Sequence, residues 1–290
     1  MNALDRNFAC TQCGQCCNRP PEVELGEVAA LAGDFVWQVL FRLYSLPPNL
    51  DLYHKGDGPR EQAGAEFFDS KRLLDKFAAY SWAGEAEVDG KVEPRNFYLS
   101  ISALALDGNS GKCDALGEAG RCTIYDRRPL SCRSVPLHYS RGEAFAVAEY
   151  DVFTSFPGHA CDTGPTAPSL LQGGKIANPD ILAARAQARE LARKDSRWKH
   201  AIVRAMKAGR PGLPTLAQVQ EHAHRGALST PMQFAWHVAV ESGLLTVDAY
   251  QRLLAAQSQA VTRFLQRSEN SADSRVLAQD VRKFILAAKG

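Results

Sequence analysis

The chain has no apolar run approaching the roughly 20 residues that a membrane-crossing helix needs. Its opening residues, Met1-Asn2-Ala3-Leu4-Asp5-Arg6-Asn7-Phe8, contain no apolar core of signal-peptide length. These two lacks argue against a membrane-spanning or exported protein, so the expectation is a cytoplasmic chain with no membrane partner. No internal repeat and no low-complexity tract is present. There is no GxGxxG following a strand, no phosphate-cradling GxxxxGK[ST] and no HExxH. Asn109-Ser110-Gly111-Lys112 is only a fragment of glycine-loop chemistry, without a first glycine at the right spacing. The CxxxCxxC of radical enzymes is missing, and no Rossmann-type methyl-donor loop is found, so S-adenosylmethionine has no motif to bind it.

What is present is an ordinary globular composition with uneven charge. The 290 residues suffice for one large domain or two ordinary ones. At 45% hydrophobic and 23% charged they bury a sizeable core without disulfide staples. Residues 1–169 carry 16 Lys and Arg against 23 Asp and Glu, whereas residues 170–290 carry 18 against 9. An acidic part holding every cysteine is thus followed by a basic part holding none.

Four of the eight cysteines fall within Cys10-Thr11-Gln12-Cys13-Gly14-Gln15-Cys16-Cys17. In a reducing compartment, clustered thiols point to metal or redox chemistry rather than to disulfides. A Cys-x-x-Cys turn aims two sulfurs at one centre, and its amides hydrogen-bond the thiolates; zinc knuckles and bacterial ferredoxin loops use this spacing. Gly14 sits where the turn needs a positive φ. Adjacent side chains diverge, so Cys16 and Cys17 suit a two-metal or cluster arrangement better than a single ion. Cys113, Cys122, Cys132 and Cys161 lie far downstream, and the expectation is that all eight converge on one metal-holding region. Two closed four-cysteine sites, or one iron–sulfur cluster with further ligands, both remain open. Eight sulfurs with an adjacent pair exceed what one zinc needs, which favours iron–sulfur over zinc. Thiolate-rich sites carry negative charge, and Arg19, Arg121, Arg127, Arg128 and Arg133 are the candidate positive neighbours.

The first block and a second one, Gly120-Arg121-Cys122-Thr123-Ile124-Tyr125-Asp126-Arg127-Arg128-Pro129-Leu130-Ser131-Cys132-Arg133, together resemble the YkgJ family of cysteine-cluster proteins. That family has a CxxCxxCC block, a GxCxIYxxRPxxCR block and a final cysteine, and is known as a zinc- or iron-chelating domain. The resemblance implies metal ligation by Cys10, Cys13, Cys16, Cys17, Cys113, Cys122, Cys132 and Cys161. It spans about residues 8–165 and leaves the basic helical tail outside. The family often has Phe-Pro after the Cys-Arg where this chain has Ser134-Val135-Pro136, and the stretch 18–112 between the blocks is long. Flagellin lysine N-methylases resemble the same family, which brings in protein-lysine methylation and a protein substrate as one implied activity.

The fold class expected is α+β. A small cysteine-rich metal-binding domain with a few strands and helices (1–165) precedes a mostly helical domain or extension (170–290). Helical spacing of Val28, Leu31, Phe35, Val39 and Leu43 predicts a helix over 24–44, and another is expected over 66–80. Alternation predicts strands within 86–106 and 143–153. Residues 162–179 read as a linker or surface crossing. Helices are expected near 180–208, 214–225, 230–242, 246–268 and 273–288, with Thr215, Ser229 and Thr246 as N-caps.

His138 and His159 lie near the later cysteines, but polar or surface roles are the plainer reading. His222 and His224 stand i, i+2 on a helix and face apart. Ile124 and Tyr125 read as packing residues, and Trp198 as a core anchor. The basic series Arg185, Arg189, Arg193, Lys194, Arg197, Lys199, Arg204, Lys207 and Arg210 raises nucleic-acid binding, with Arg185, Arg189 and Arg193 on one face; a solvated helix face is the plainer alternative. Two functions from different classes follow. One is a cysteine-ligated metalloprotein, extending to a metal-dependent enzyme; the other is a non-catalytic zinc module that meets a protein or RNA partner through its basic helices.

Overall fold

The structure is a computed structural model and describes residues 3–54, 59–108, 111–117, 120–222, 226–267 and 270–287. In chain order the elements begin with β1 (Arg6–Asn7), β2 (Glu22–Val23), α1 (Val28–Leu31), β3 (Trp37–Leu46), α2 (Leu50–Tyr53) and α3 (Arg60–Phe77). Next come β4 (Tyr80–Val88), β5 (Lys91–Ala105), α4 (Leu130–Arg133), α5 (Ala146–Ser155), β6 (Ser169–Gln172), β7 (Lys175–Ile176) and α6 (Pro179–Lys207). The chain ends with α7 (Leu216–Glu221), β8 (Leu228–Pro231), α8 (Met232–Glu241), α9 (Val247–Gln266) and α10 (Ala272–Ala287). Helices together with antiparallel sheet make this an α+β protein. No described helix is long and apolar enough to cross a membrane.

The chain divides into two compact units, neither continuous in sequence. The first comprises Met1–Gln38, Ala103–Asp195 and Thr246–Gly290; the second comprises Val39–Ser102 and Ser196–Leu245. The boundary expected near 165–170 falls inside the first unit. Residues 162–179, read from sequence as a linker, are structured there: β6 pairs with β1 (Asn7↔Ser169) and with β7 (Leu171↔Ile176). The Gly/Pro-rich composition was misleading because Gly173 and Gly174 form the tight β6–β7 turn, both at positive φ.

The first unit builds its core from Phe8, Leu137, Tyr150, Leu170, Leu171, Ile176 and Ile181, with Cys10 and Cys161 packed against it. Gln257 of α9 is fully buried and fully bonded. Its Oε1 accepts from the Trp37 amide at 3.0 Å, and its Nε2 donates to the Ala32 and Phe35 carbonyls at 2.6 and 2.7 Å. A polar side chain is stable in a core only on such terms. Residues 143–153 form a short 3-10 turn and α5 rather than a strand. The apparent alternation covered too few positions, while Ala146, Tyr150 and Phe153 recur at i, i+4, i+7 and face the core as a helical stripe.

The second unit contains the nine-pair ladder of β4 against β5, from Tyr80↔Leu99 to Val88↔Lys91. Asp89-Gly90 closes it with both residues left-handed (φ 52° and 75°), the geometry that matches a two-residue hairpin to strand twist. Where a helix over 24–44 is expected, α1 ends at Leu31 and β3 begins at Trp37. A spacing of four is even, so Phe35, Val39 and Leu43 fit one face of a strand as well as one face of a helix. The buried run Trp37 to Phe41, rich in aromatic and β-branched residues, favours the strand. Thr215 and Thr246 do cap α7 and α9, Thr215 through a reciprocal capping box with Gln218. Ser229 lies within β8 and caps nothing.

Candidate metal centre

The eight cysteines come from three separated stretches of the first unit, and backbone hydrogen bonds draw these stretches together. The first block turns at Gly14, which is left-handed at φ 73° and opens a 3-10 turn over Gln15–Cys17. Gln12 is also left-handed (φ 57°), an uncommon state for a residue with a side chain. Ala9 and Asp162 exchange amide bonds of 2.8 and 3.0 Å, which sets Cys10 beside Cys161. Thr11 Oγ1 donates to the Ala160 carbonyl at 2.8 Å and reinforces that junction. On the other side, the Cys113 amide donates to the Cys17 carbonyl at 2.8 Å. A Leu116↔Cys122 bridge folds the second stretch back on itself, and the Thr123 amide and hydroxyl both bond the Ala115 carbonyl. A Cβ on Gly14 would stand 2.4 Å from the Gly120 carbonyl oxygen, so the two cysteine-bearing turns meet backbone to backbone.

The sulfurs form two overlapping electrostatic neighbourhoods. Cys10, Cys13 and Cys16 act on Cys161 in one; Cys16, Cys113 and Cys132 act on Cys17, and Cys16 and Cys122 act on Cys113 and Cys132, in the other. Cys16 belongs to both and is the exposed member, the other seven being half-buried; all eight are free thiols. Among the described residues, no three His, Cys, Asp or Glu side chains stand in the arrangement that holds one metal ion. The cysteines are gathered into one region with their thiols not drawn onto common centres.

Their protonation is graded. The Cys17 thiol donates to Cys16 and holds it down to about 6 against its burial, with His159 and Arg128 assisting. Cys17, as the donor, is pushed far up. Burial pushes Cys113 up to about 11, Cys132 to about 12 and Cys161 to about 11. Burial also opposes ionisation of Cys13, yet the amides of Gln15 and Ala160 and the Thr11 side chain bring its thiol below the ordinary value.

The expected positive neighbours separate into those at the sulfurs and those elsewhere. Arg128 stands 3.9 Å over the Tyr125 ring and acts on Cys16, while the Tyr125 hydroxyl bonds the Cys10 sulfur. Arg127 is committed to Asp34 through a bidentate pair at 2.5 and 2.6 Å. Arg133 acts on Glu27 and Arg19 on His138. His159 stands by Cys16, its Nδ1 held 2.7 Å from the Phe153 carbonyl. His138 is turned to Ser140 at 2.7 Å, and burial lowers its pKa. His222 closes α7 against the Gln218 carbonyl, and His224 lies outside the described residues.

Three contributors were not singled out from sequence. Tyr125 was read as packing, Thr11 drew no notice, and Glu27 is far from any cysteine in the chain. Glu27 Oε1 accepts from the Leu130 amide at 2.6 Å at the start of α4, the turn that carries Cys132. The repeated polar residues of the second block, Tyr125-Asp126-Arg127-Arg128, were the available signal for Tyr125; nothing in the spacing pointed to Glu27.

The basic series on α6 is partly spent on structure. Arg185 is buried and donates to the His138 and Arg141 carbonyls, both at 2.7 Å. Arg189 donates to the Tyr139 and Arg141 carbonyls at 2.8 and 3.1 Å, and Arg193 pairs with Glu190. Neither a phosphate-facing stripe nor a simply solvated face describes Arg185 and Arg189, which brace the 138–141 turn. Trp198 Nε1 donates to the Ala235 carbonyl at 2.9 Å, as an anchor should. The chain matches no protein-family model, no curated protein and no solved structure.

Proposed function

We propose that the chain is a cytoplasmic, cysteine-ligated metalloprotein of the YkgJ type. Cys10, Cys13, Cys16, Cys17, Cys113, Cys122, Cys132 and Cys161 would hold an iron–sulfur cluster or zinc. The observation that carries this reading is the convergence of all eight free thiols, from three stretches of chain, into two neighbourhoods that share Cys16. The donor chemistry fits: thiolates suit zinc and iron–sulfur centres, and amide donors at Cys13 with Arg128 and His159 near Cys16 offset the negative charge eight thiolates would gather. When bound, an iron–sulfur centre would supply electron transfer and zinc a structural tie or a Lewis acid. Arg128 and Tyr125 position the Cys10 side, Glu27 and α4 position Cys132, and the Ala9–Asp162 bridge positions Cys161.

On this reading the chain extends to a metal-dependent enzyme, with protein-lysine N-methylation as its concrete form and a protein as substrate. The alternative is a zinc module without catalysis, meeting a protein or RNA partner through its basic helices. The deciding experiment is purification without oxygen, followed by elemental content and an absorbance spectrum. A brown protein with iron and sulfide supports the cluster; a colourless one with stoichiometric zinc selects the zinc form; a metal-free, stably folded protein overturns both. Cys13→Ser is expected to lower metal content and thermal midpoint together, because metal binding and folding are coupled. The methylase form fails if co-expression with candidate protein substrates yields no methylated lysine.

A further inference from the structure

The second unit contains a cavity of about 470 Å³, well away in sequence from every cysteine. Its walls include Asp75 of α3, Tyr80 and Ser81 of β4, and His200, Arg204 and Lys207 of α6. The three α6 residues recur at i, i+4, i+7 and therefore share one face. All three are exposed. Among the described residues no carboxylate pairs with His200, Arg204 or Lys207, whereas Asp75 is paired with Lys71 at 2.6 Å. The cavity thus presents the Arg204 and Lys207 charges, while its wall carboxylate, Asp75, is committed to Lys71.

Beside Arg204 and Lys207 is an aromatic ladder. Tyr80 stacks on Trp82 with ring centroids 5.5 Å apart, and Trp82 stacks on Phe97 at 5.4 Å. The Lys207 ammonium covers the Tyr80 ring at 3.7 Å. β4 brings Tyr80 and Trp82 to one face because side chains two apart in a strand point the same way, and register sets Trp82 opposite Phe97. The Tyr80 and Ser81 hydroxyls add donors of their own.

We propose that this cavity binds a free nucleotide, a planar base joined to a phosphate. The base takes the place of the Lys207 ammonium against Tyr80, a contact that an exposed cation gives up readily. The phosphate is held by Arg204, Lys207 and His200, with Arg204 offering the planar fork that matches phosphate oxygens. The ladder Tyr80–Trp82–Phe97 keeps the ring rigid, so stacking meets a preformed surface. The volume fits one nucleotide and not a folded strand. The site does not involve the cysteines, so it stands or falls independently of the metal.

The test is calorimetry and tryptophan emission on the full-length protein with AMP, adenosine and inorganic phosphate as separate probes. AMP is expected to bind one per chain, with adenosine and phosphate each about ten-fold weaker or more, since each lacks half of the recognition. Arg204→Gln and Lys207→Gln should each weaken AMP by about ten-fold with the thermal midpoint unchanged, and Arg204→Lys should recover part of the loss. Trp82→Phe should keep the calorimetric binding while removing most of the emission change. AMP binding no tighter than adenosine overturns the proposal. So does unaltered affinity in Arg204→Gln, and so does a single-stranded oligoadenylate that binds much more tightly than AMP, which would make this a strand surface. A drop in thermal midpoint with AMP affinity intact in both Gln variants would mean that the cations serve only the negative end of α6.

Discussion

In the second unit, β4 and β5 pair without interruption from Tyr80↔Leu99 to Val88↔Lys91, and one two-residue turn sets the whole register. In the first unit, β1, β2 and β7 are two residues long, and the cysteine-bearing stretches are joined by single contacts such as the Ala9↔Asp162 bridge and the bond from the Cys113 amide to the Cys17 carbonyl. The second unit's hairpin is thus held by many equivalent bonds, each of small net worth. The first unit's cysteine region rests on a few contacts between residues far apart in the chain, and each of them sets where a sulfur lies. Closing such long loops costs chain entropy that isolated backbone bonds recover poorly. A metal shared by thiols from all three stretches would supply the missing cross-link, which is the physical case for reading the region as a binding site.

The sharpest way to break this contrast is at two glycines. Gly14→Ala forces a Cβ onto the Gly120 carbonyl at 2.4 Å, in a left-handed residue whose obstacle is backbone and has little room to yield. Strain and overlap together should cost about 2–5 kcal/mol and lower metal content with it. Gly212→Ala meets the Phe234 ring at 2.0 Å, also at positive φ, but the obstacle there is a side chain of α8 rather than backbone, in a unit that holds no cysteine. It should lower the thermal midpoint with metal content unaltered. Equal metal loss in both variants, read by elemental analysis, would remove the distinction between the units.

The next largest effect is expected at Arg185. Its two charge-assisted bonds to the His138 and Arg141 carbonyls are the first unit's substitute for regular pairing across the 138–141 turn. Arg185→Met keeps the length of the side chain and should cost about 2–3 kcal/mol in chemical denaturation. Arg193→Met removes only a surface pair with Glu190 and should leave the denaturation midpoint nearly unchanged. If the two variants cost the same, the Arg185 guanidinium is not bracing the turn.

That pair also shows what was legible in the sequence. Arg185, Arg189 and Arg193 share one helix face, and from spacing alone they read as a phosphate-facing stripe or a solvated face. Two of them are consumed by backbone carbonyls, acceptors present at every residue and so invisible in a charge count. The cysteine blocks were legible because short spacings within one turn are local geometry, and Gly14 was legible because a tight turn needs a left-handed residue. The helices from 179 onward were legible from caps and periodicity, as Thr215 and Thr246 bear out. The discontinuous units were not, because the return of 246–290 to the first unit depends on contacts such as Gln257 with Trp37, more than two hundred residues apart. β3 was not legible because an even spacing serves helix and strand alike.

The smallest expected effect is a pH dependence at the support of Cys132. Burial raises the Glu27 carboxyl from 4.5 to about 7, although the Leu130 amide and Arg133 work against it. The folded protein therefore holds this proton where the unfolded chain has released it. The contribution to stability is complete below about 4.5 and is lost as pH rises through about 7. A shift of this size corresponds to about 3 kcal/mol, and solvent reaching a half-buried carboxyl should leave about 1–2 kcal/mol of it. Glu27→Gln keeps an acceptor for the Leu130 amide but has no charge to gain. Between pH 5 and 8 its stability should fall less than that of the parent chain, in denaturant titrations at matched salt. Parallel profiles for the two proteins would mean that Glu27 is ionised when folded, and α4 would then be held by a charged cap that loses strength on acidification instead.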